Sequence, residues 1–200
     1  MTTAAVDTRY PVTVTFNPPE RVPRWLPIFG WLLAIPHYLV LWVLGIVAEL
    51  CMIVGWFSGV ILGRIPDGLL GMITGYLRYQ VRVETYLLFM RGAYPAFSFT
   101  TESIDPRTDP MVALDVVLAP QRNRLTILFR LLIAIPQFIV LWFVTIATYV
   151  VIVIAWFAAI ILGRWPSGLQ DFALGWMRWG TRVRAYLMLL TDAYPPFSMQ

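Results

Sequence analysis

Side chains able to react or coordinate are few in this 200-residue chain, and each stands alone. His37 is its one histidine and Cys51 its one cysteine. One of each cannot build a zinc site, which takes several nitrogen or sulfur ligands at conventional spacing, and Cys51 has no partner for an internal disulfide. Inside an apolar run, Cys51 reads as a small packed side chain. His37 follows Pro36 in a helical pattern, so a hydrogen-bonded polar side chain is expected there rather than a general base or a metal ligand. The glycines are scattered and form no phosphate loop, and no serine sits on a turn beside a histidine and an acid. Glu49 is the single acid inside a long apolar stretch. An acid in that setting is by default a candidate for a proton or ion path, but an outer turn reached by water explains it more simply. Arg130, near the end of a second such stretch, can snorkel to the interface. No catalytic residue, metal or cofactor is expected, and the chain is read as a non-enzyme.

The best candidate for binding is cationic: Arg64, Arg78 and Arg82, repeated as Arg164, Arg178 and Arg182, with Arg184 added. Tyr76 and Tyr79, or Trp176 and Trp179, flank the pairs that stand four residues apart. Guanidinium groups at headgroup depth can take lipid phosphates bidentately while aromatic rings occupy the interface. Simple anchoring of two interfacial helices explains the same residues. Anionic headgroups and other membrane-protein subunits are the expected partners. Nucleic acid is not, because the net charge is only +4 and no soluble basic domain is present.

These side chains sit in a chain that is 59% hydrophobic and 13% charged, with a mean hydropathy of +0.71. Soluble domains carry about a quarter charged residues, so the surrounding medium is read as largely lipid. The first 25 residues contain acids and prolines but no apolar core with a small-residue cleavage site, and no signal peptide is expected. Stretch 26–63 has Glu49 as its only charge. As one helix it would run roughly 57 Å, against ~30 Å of hydrocarbon. It is therefore expected to fold as a hairpin, with the turn near 45–50 and a kink at Pro36.

A second copy follows at an offset of one hundred residues. AIPHYLVLW at 34–42 returns as AIPQFIVLW at 134–142, WFSGVILGRIPDGL at 56–69 as WFAAIILGRWPSGL, and GYLRYQVRVETYL at 75–87 as GWMRWGTRVRAYL. The expected fold is an all-α integral membrane protein of two parallel repeats. Each has a short extended arm, a transmembrane helical hairpin and an amphipathic interfacial helix, with a small cytoplasmic β-sheet below the bundle. Repeat 1 covers 1–99 (arm 10–19, hairpin 25–63, amphipathic helix 67–91). An exposed linker, 100–111, follows, and then repeat 2 over 112–200 (arm 113–119, hairpin 125–163, amphipathic helix 167–191). The segments AYPAFS and AYPPFS after each amphipathic helix are expected to dock on the arms. Arg21, Arg24, Arg64, Arg122, Arg124 and Arg164 flank the hairpin ends, which by the positive-inside rule puts both termini of a multi-pass protein in the cytoplasm of a bacterial inner membrane.

The recurring residues AIPHYLVLW or AIPQFIVLW, WFAAIILGRWPSGL and RWGTRVRAYLMLLTDAYPPFS resemble a family of uncharacterised actinobacterial membrane proteins, known as a domain of unknown function, family 4389. The likeness covers about 10–98 and 112–200 and departs at RGAYPAFS in the first repeat. It implies a bacterial membrane protein, often in tandem copies, and supplies no catalytic residue. The functional expectation is a non-catalytic accessory or scaffold subunit of an envelope complex, one that handles lipids. The alternative is a small transporter or channel using the groove between the repeats.

Overall fold

A computed structural model describes residues 10–119 and 121–200. The start of repeat 1 and the opening of the stretch read for a signal peptide, 1–9, lie outside these residues. Among the described residues the chain forms β1 (Val12–Phe16), α1 (Leu26–Leu33), α2 (Ile35–Leu62) and α3 (Asp67–Leu87). Their counterparts are β2 (Val112–Val116), α4 (Arg124–Ile133), α5 (Ile135–Leu162) and α6 (Ser167–Leu187).

The hairpins are corrected. Segment 45–50 is continuous helix inside α2, and the corresponding segment lies inside α5. GIVAEL offers a single glycine and no proline or Asn-Gly pair, whereas a helical hairpin needs a short loop of such residues. Each block is instead one rod, broken once at Ala34 or Ala134. Pro36 and Pro136 lack the N–H that would continue the helical ladder there, so the kink stands where the sequence places it. Each rod ends at a left-handed glycine, Gly63 with φ 69° and Gly163 with φ 68°. That geometry suits glycine because it has no Cβ to clash. α2 and α5 are each 28 residues long and apolar enough to cross a membrane.

The two rods run antiparallel. Val22 N–H donates to the Gly163 carbonyl and Arg122 N–H to the Gly63 carbonyl, both at 2.9 Å, so the start of each rod lies at the end of the other. α4 packs on the last turns of α2, and α1 on α5, with the Trp156 indole donating to the Pro27 carbonyl at 2.9 Å. β1 and β2 pair antiparallel with Val14 opposite Leu114, equivalent residues of the two repeats. A pseudo-twofold axis therefore passes through the sheet, and it must cross the line joining the rod ends at its midpoint and at a right angle.

Along that axis the molecule has three layers: the sheet, then α3 and α6, then the rods. The arms are exchanged, since β1 packs on α6 and β2 on α3. Segment 100–111 is exposed at most of its residues, as expected of a linker, but Asp105, Asp109 and Met111 are buried. It lies against α3, where Gly71 and Gly75 admit the Thr101 and Thr100 carbonyls; a Cβ at either glycine would stand 2.6 Å from the oxygen. The rods touch the other layers through a narrow stripe that includes His37, Ala48, Gly55 and Gly59. Their remaining circumference is exposed and apolar, with Phe29, Trp42 and Phe57 on one rod and Phe129, Trp142 and Phe157 on the other.

Where α3 meets α6, equivalent residues face each other across the axis. Arg184 donates to both carboxylate oxygens of Glu84, from Nη2 at 2.8 Å. An undiverged duplication would set two like charges there. Glu84→Arg should lower the unfolding free energy by about 1 kcal/mol, and the exchange Glu84→Arg with Arg184→Glu should recover most of the loss. Thermal unfolding in detergent measures both, and a double variant no more stable than the single one would contradict this account.

Candidate functional site

The cationic set divides sharply once placed. Arg78 and Arg82 are each 1% exposed, out of reach of lipid headgroups. Their spacing puts both on the face of α3 that meets segment 100–111, and Asp105 is shared between them, 2.9 Å from Arg78 Nε and 3.4 Å from Arg82 Nη2. Arg78 also donates to the carbonyls of Glu102 and Leu114, at 3.0 and 2.9 Å, and to the Thr100 hydroxyl at 2.8 Å. Arg82 reaches the Ser98 hydroxyl at 2.9 Å. Asp105 in turn accepts from the N–H groups of Arg107 and Leu114. Burial lowers the Arg78 pKa, with the Asp105 charge opposing the shift. The interfacial role expected of these two arginines is thus replaced by a clasp that ties segment 100–111 and β2 to α3.

A second clasp lies beside it, where Arg91 Nη1 donates to Asp109 at 2.8 Å. Burial works against ionising Asp109. The Arg91 hydrogen bond and charge, with donations from the Met111 and Val112 N–H groups, outweigh it and hold the pKa below the ordinary carboxylate value.

In the second repeat, Arg178 is half-buried, its guanidinium 5.5 Å from the centre of the Phe16 ring. Arg182 is buried 5.9 Å from that of Tyr10. These are cation–π placements on the exchanged arm, again away from the surface expected of them. Arg184 is held by Glu84. Arg64 and Arg164 are exposed at the rod ends, together with Arg21, Arg24 and Arg124. Arg122 is buried.

His37 is buried just after the kink, its Nδ1 2.5 Å from the Tyr79 hydroxyl and its ring stacked on Phe97 at 4.3 Å. Its counterpart does the same work with other atoms. Gln137 donates to the Pro195 carbonyl at 2.5 Å and accepts from the Trp179 indole at 2.8 Å. The AYP segments therefore dock mainly at the rod kinks, where the Tyr94 hydroxyl donates to the Leu33 carbonyl. One contact with an arm, from the Tyr10 hydroxyl to the Ala193 carbonyl, remains as expected. Arg130 is 3% exposed and does not snorkel. It pairs with Asp192 at 2.7 Å and lies over the Tyr186 ring. Glu49 is exposed halfway along α2, one turn beyond Gly45, beside which the Tyr76 hydroxyl lies. It occupies a helix, not the expected turn. Among the described residues no three potential metal ligands converge.

Sequence reasoning missed the acids Asp105, Asp109 and Asp192. The signal was available: buried guanidinium groups need carboxylates, and Asp105 and Asp109 stand in the one acid-rich segment, TESIDPRTDP.

The family model described as Domain of unknown function (DUF4389) matches residues 28–98 and again 124–199, one match on each rod with its following helix. The chain belongs to this family. No curated protein and no solved structure matches it. The double match agrees with the internal repeat, and in this DUF4389 protein the matched segments hold most of the buried polar groups just described.

Asp105→Asn leaves two buried guanidinium groups without their carboxylate and should cost about 3–5 kcal/mol, read as a fall in unfolding temperature. His37→Gln should stay within about 1 kcal/mol of the parent, because Gln137 already fills the equivalent site. A carboxyl whose pKa falls on folding adds stability that is fully present above its unfolded value and is lost as pH drops through its folded value. Asp109→Asn should therefore flatten the loss of stability on acidification below about pH 4, measured as unfolding temperature against pH.

Proposed function

We propose that this chain is a non-catalytic membrane scaffold whose rods lie in the plane of one leaflet while its polar layers face the aqueous side. The observation that carries this reading is the direction of the pseudo-twofold axis. It runs perpendicular to the rods and through the sheet. Were the rods upright in a bilayer, the sheet side would stand at mid-depth, with the exposed Glu102 and the 55%-exposed Arg107 in hydrocarbon. A charged side chain there costs about 2.5–3.5 kcal/mol on insertion scales, and more by other measures. Laid flat, the rods put their apolar circumference among acyl chains and the same charges in water.

The exposed arginines fit this arrangement. Arg21, Arg24 and Arg164 cluster at one end, Arg64 and Arg124 at the other, and a flat molecule brings both ends to the same headgroup surface. An anionic cytoplasmic leaflet attracts such groups, which favours the inner face of a bacterial cytoplasmic membrane, with the sheet side in the cytoplasm. The scaffold reading is supported by how the polar side chains are used. Arg78, Arg82, Asp105, His37, Gln137, Arg184 and Glu84 are committed to one another or to backbone, a pattern that fixes a shape.

Two measurements test the reading. With Cys51→Ser as background, Asp67→Cys and Ser167→Cys at opposite rod ends should both react with a membrane-impermeant maleimide from the cytoplasmic side alone. Labelling from opposite sides would mean upright rods. Purification in mild detergent should bring down stoichiometric membrane-protein partners, and a homogeneous preparation of this chain alone would count against a scaffold. The exposed Glu49, midway along an apolar rod, favours transport as the second reading. For it, Glu49→Gln in liposomes must change ion flux.

A further inference from the structure

The two ends of the molecule are related by pseudo-symmetry but not filled alike. At one end Trp165 stacks on Phe89, ring centres 5.2 Å apart, and its indole donates to the Phe89 carbonyl. The equivalents at the other end are the smaller Ile65 and Leu189. There a cleft of about 460 Å³ opens between the last turns of α2 and α4. Met52, Trp56, Ile127, Leu128 and Leu189 make its walls apolar, and Arg130 is its charged lining residue. The first repeat has Gly30 in place of this arginine.

The charge beneath the cleft is not balanced. Arg122 and Arg130 are both buried, and among the described residues Asp192 is the acid within electrostatic reach of each. Its two oxygens are already taken, one by Arg130 and the other by the Asn123 N–H. Among the described residues, Nε of Arg130 and both Nε and Nη1 of Arg122 have no hydrogen-bond acceptor. Two guanidinium groups against one carboxylate leave one positive charge uncompensated, a costly state in a buried place, and uncommitted N–H groups add to that cost.

We propose that this cleft binds one long-chain fatty acid, its carboxylate held at the Arg130 end of the cleft by the uncompensated charge and its tail lying along the apolar wall between α2 and α4. One negative charge answers the one unmatched positive charge. The volume falls toward the small end of the ~300–1,000 Å³ usual for ligand sites, which suits a single acyl chain better than the paired chains of a phospholipid. The proposal deepens the lipid-facing reading above and rests on it for access, since the cleft opens among residues exposed on the rods.

The test uses the whole chain, delipidated in detergent, with cis-parinaric acid as fluorescent probe and oleic acid as competitor. Parinaric acid should bind and oleic acid displace it, while oleyl alcohol, with the same chain and no charge, should compete about tenfold less well. Leu128→Trp, a change at a half-exposed wall position, should weaken parinaric acid binding about tenfold or more. Ile28→Trp, its equivalent at the other end, should leave binding unchanged. Equal competition by the alcohol, unaltered binding in Leu128→Trp, or displacement by a dioleoyl phospholipid as readily as by oleic acid would each overturn the proposal. Liposome flotation reads the membrane assignment separately. Parent chain that floats but binds no oleic acid loses only the cleft, and chain that binds oleic acid in detergent but does not float loses only the membrane reading.

Discussion

The narrow stripe by which two long apolar rods touch the rest of the chain sets the terms for everything else in this fold. Each is exposed and apolar over most of its circumference, and each touches the remaining chain along one narrow stripe. Because the rods run antiparallel and are related by an axis perpendicular to them, they present one common apolar side while the sheet is carried on the opposite side. Amphipathicity here belongs to the molecule. Neither α2 nor α5 has a polar face of its own, and the polar side is supplied by segments from elsewhere in the chain.

Between the rods and the sheet, the middle layer works as a polar interior of high internal demand. Arg78 and Arg82 are buried by the packing of α3 against segment 100–111, and that packing is possible because Asp105 sits in the segment to meet them. Removing the carboxylate removes the reason for the segment to lie there. In the second repeat, aromatic rings of the exchanged arm stand over Arg178 and Arg182.

Much of the architecture was legible from the residues. The hundred-residue offset, the break before Pro36 and Pro136, the helices beginning near Asp67 and Ser167 and the short strands at Val12 and Val112 all follow from pattern and from proline and glycine chemistry. The hairpin did not, because its derivation compared the length of the apolar block with the thickness of a bilayer. A length comparison cannot place a turn, and GIVAEL has no proline or Asn-Gly pair that would break the helix. The interfacial arginines failed for a related reason: aromatic neighbours and four-residue spacing describe a helix face equally well in a membrane surface and in a polar core. Only the tertiary contact with Asp105 separates the two. The cleft at Arg130 was illegible for want of its partner surface, which comes from α2 in the other repeat.

The exchanged arms carry a consequence for how the protein is made. Val12 pairs with Val116 and Phe16 with Val112, and β1 rests on α6, so the first strand is synthesised long before anything it pairs with. During that interval the first rod can already be helical, but the arm, with Val12, Val14 and Phe16 on its inward face, has nothing to cover it. Pairings so distant along the chain close slowly, and unpaired strands waiting for a partner are prone to find the wrong one. The first half of this chain is therefore a folding intermediate by construction, completed only when the last helix arrives.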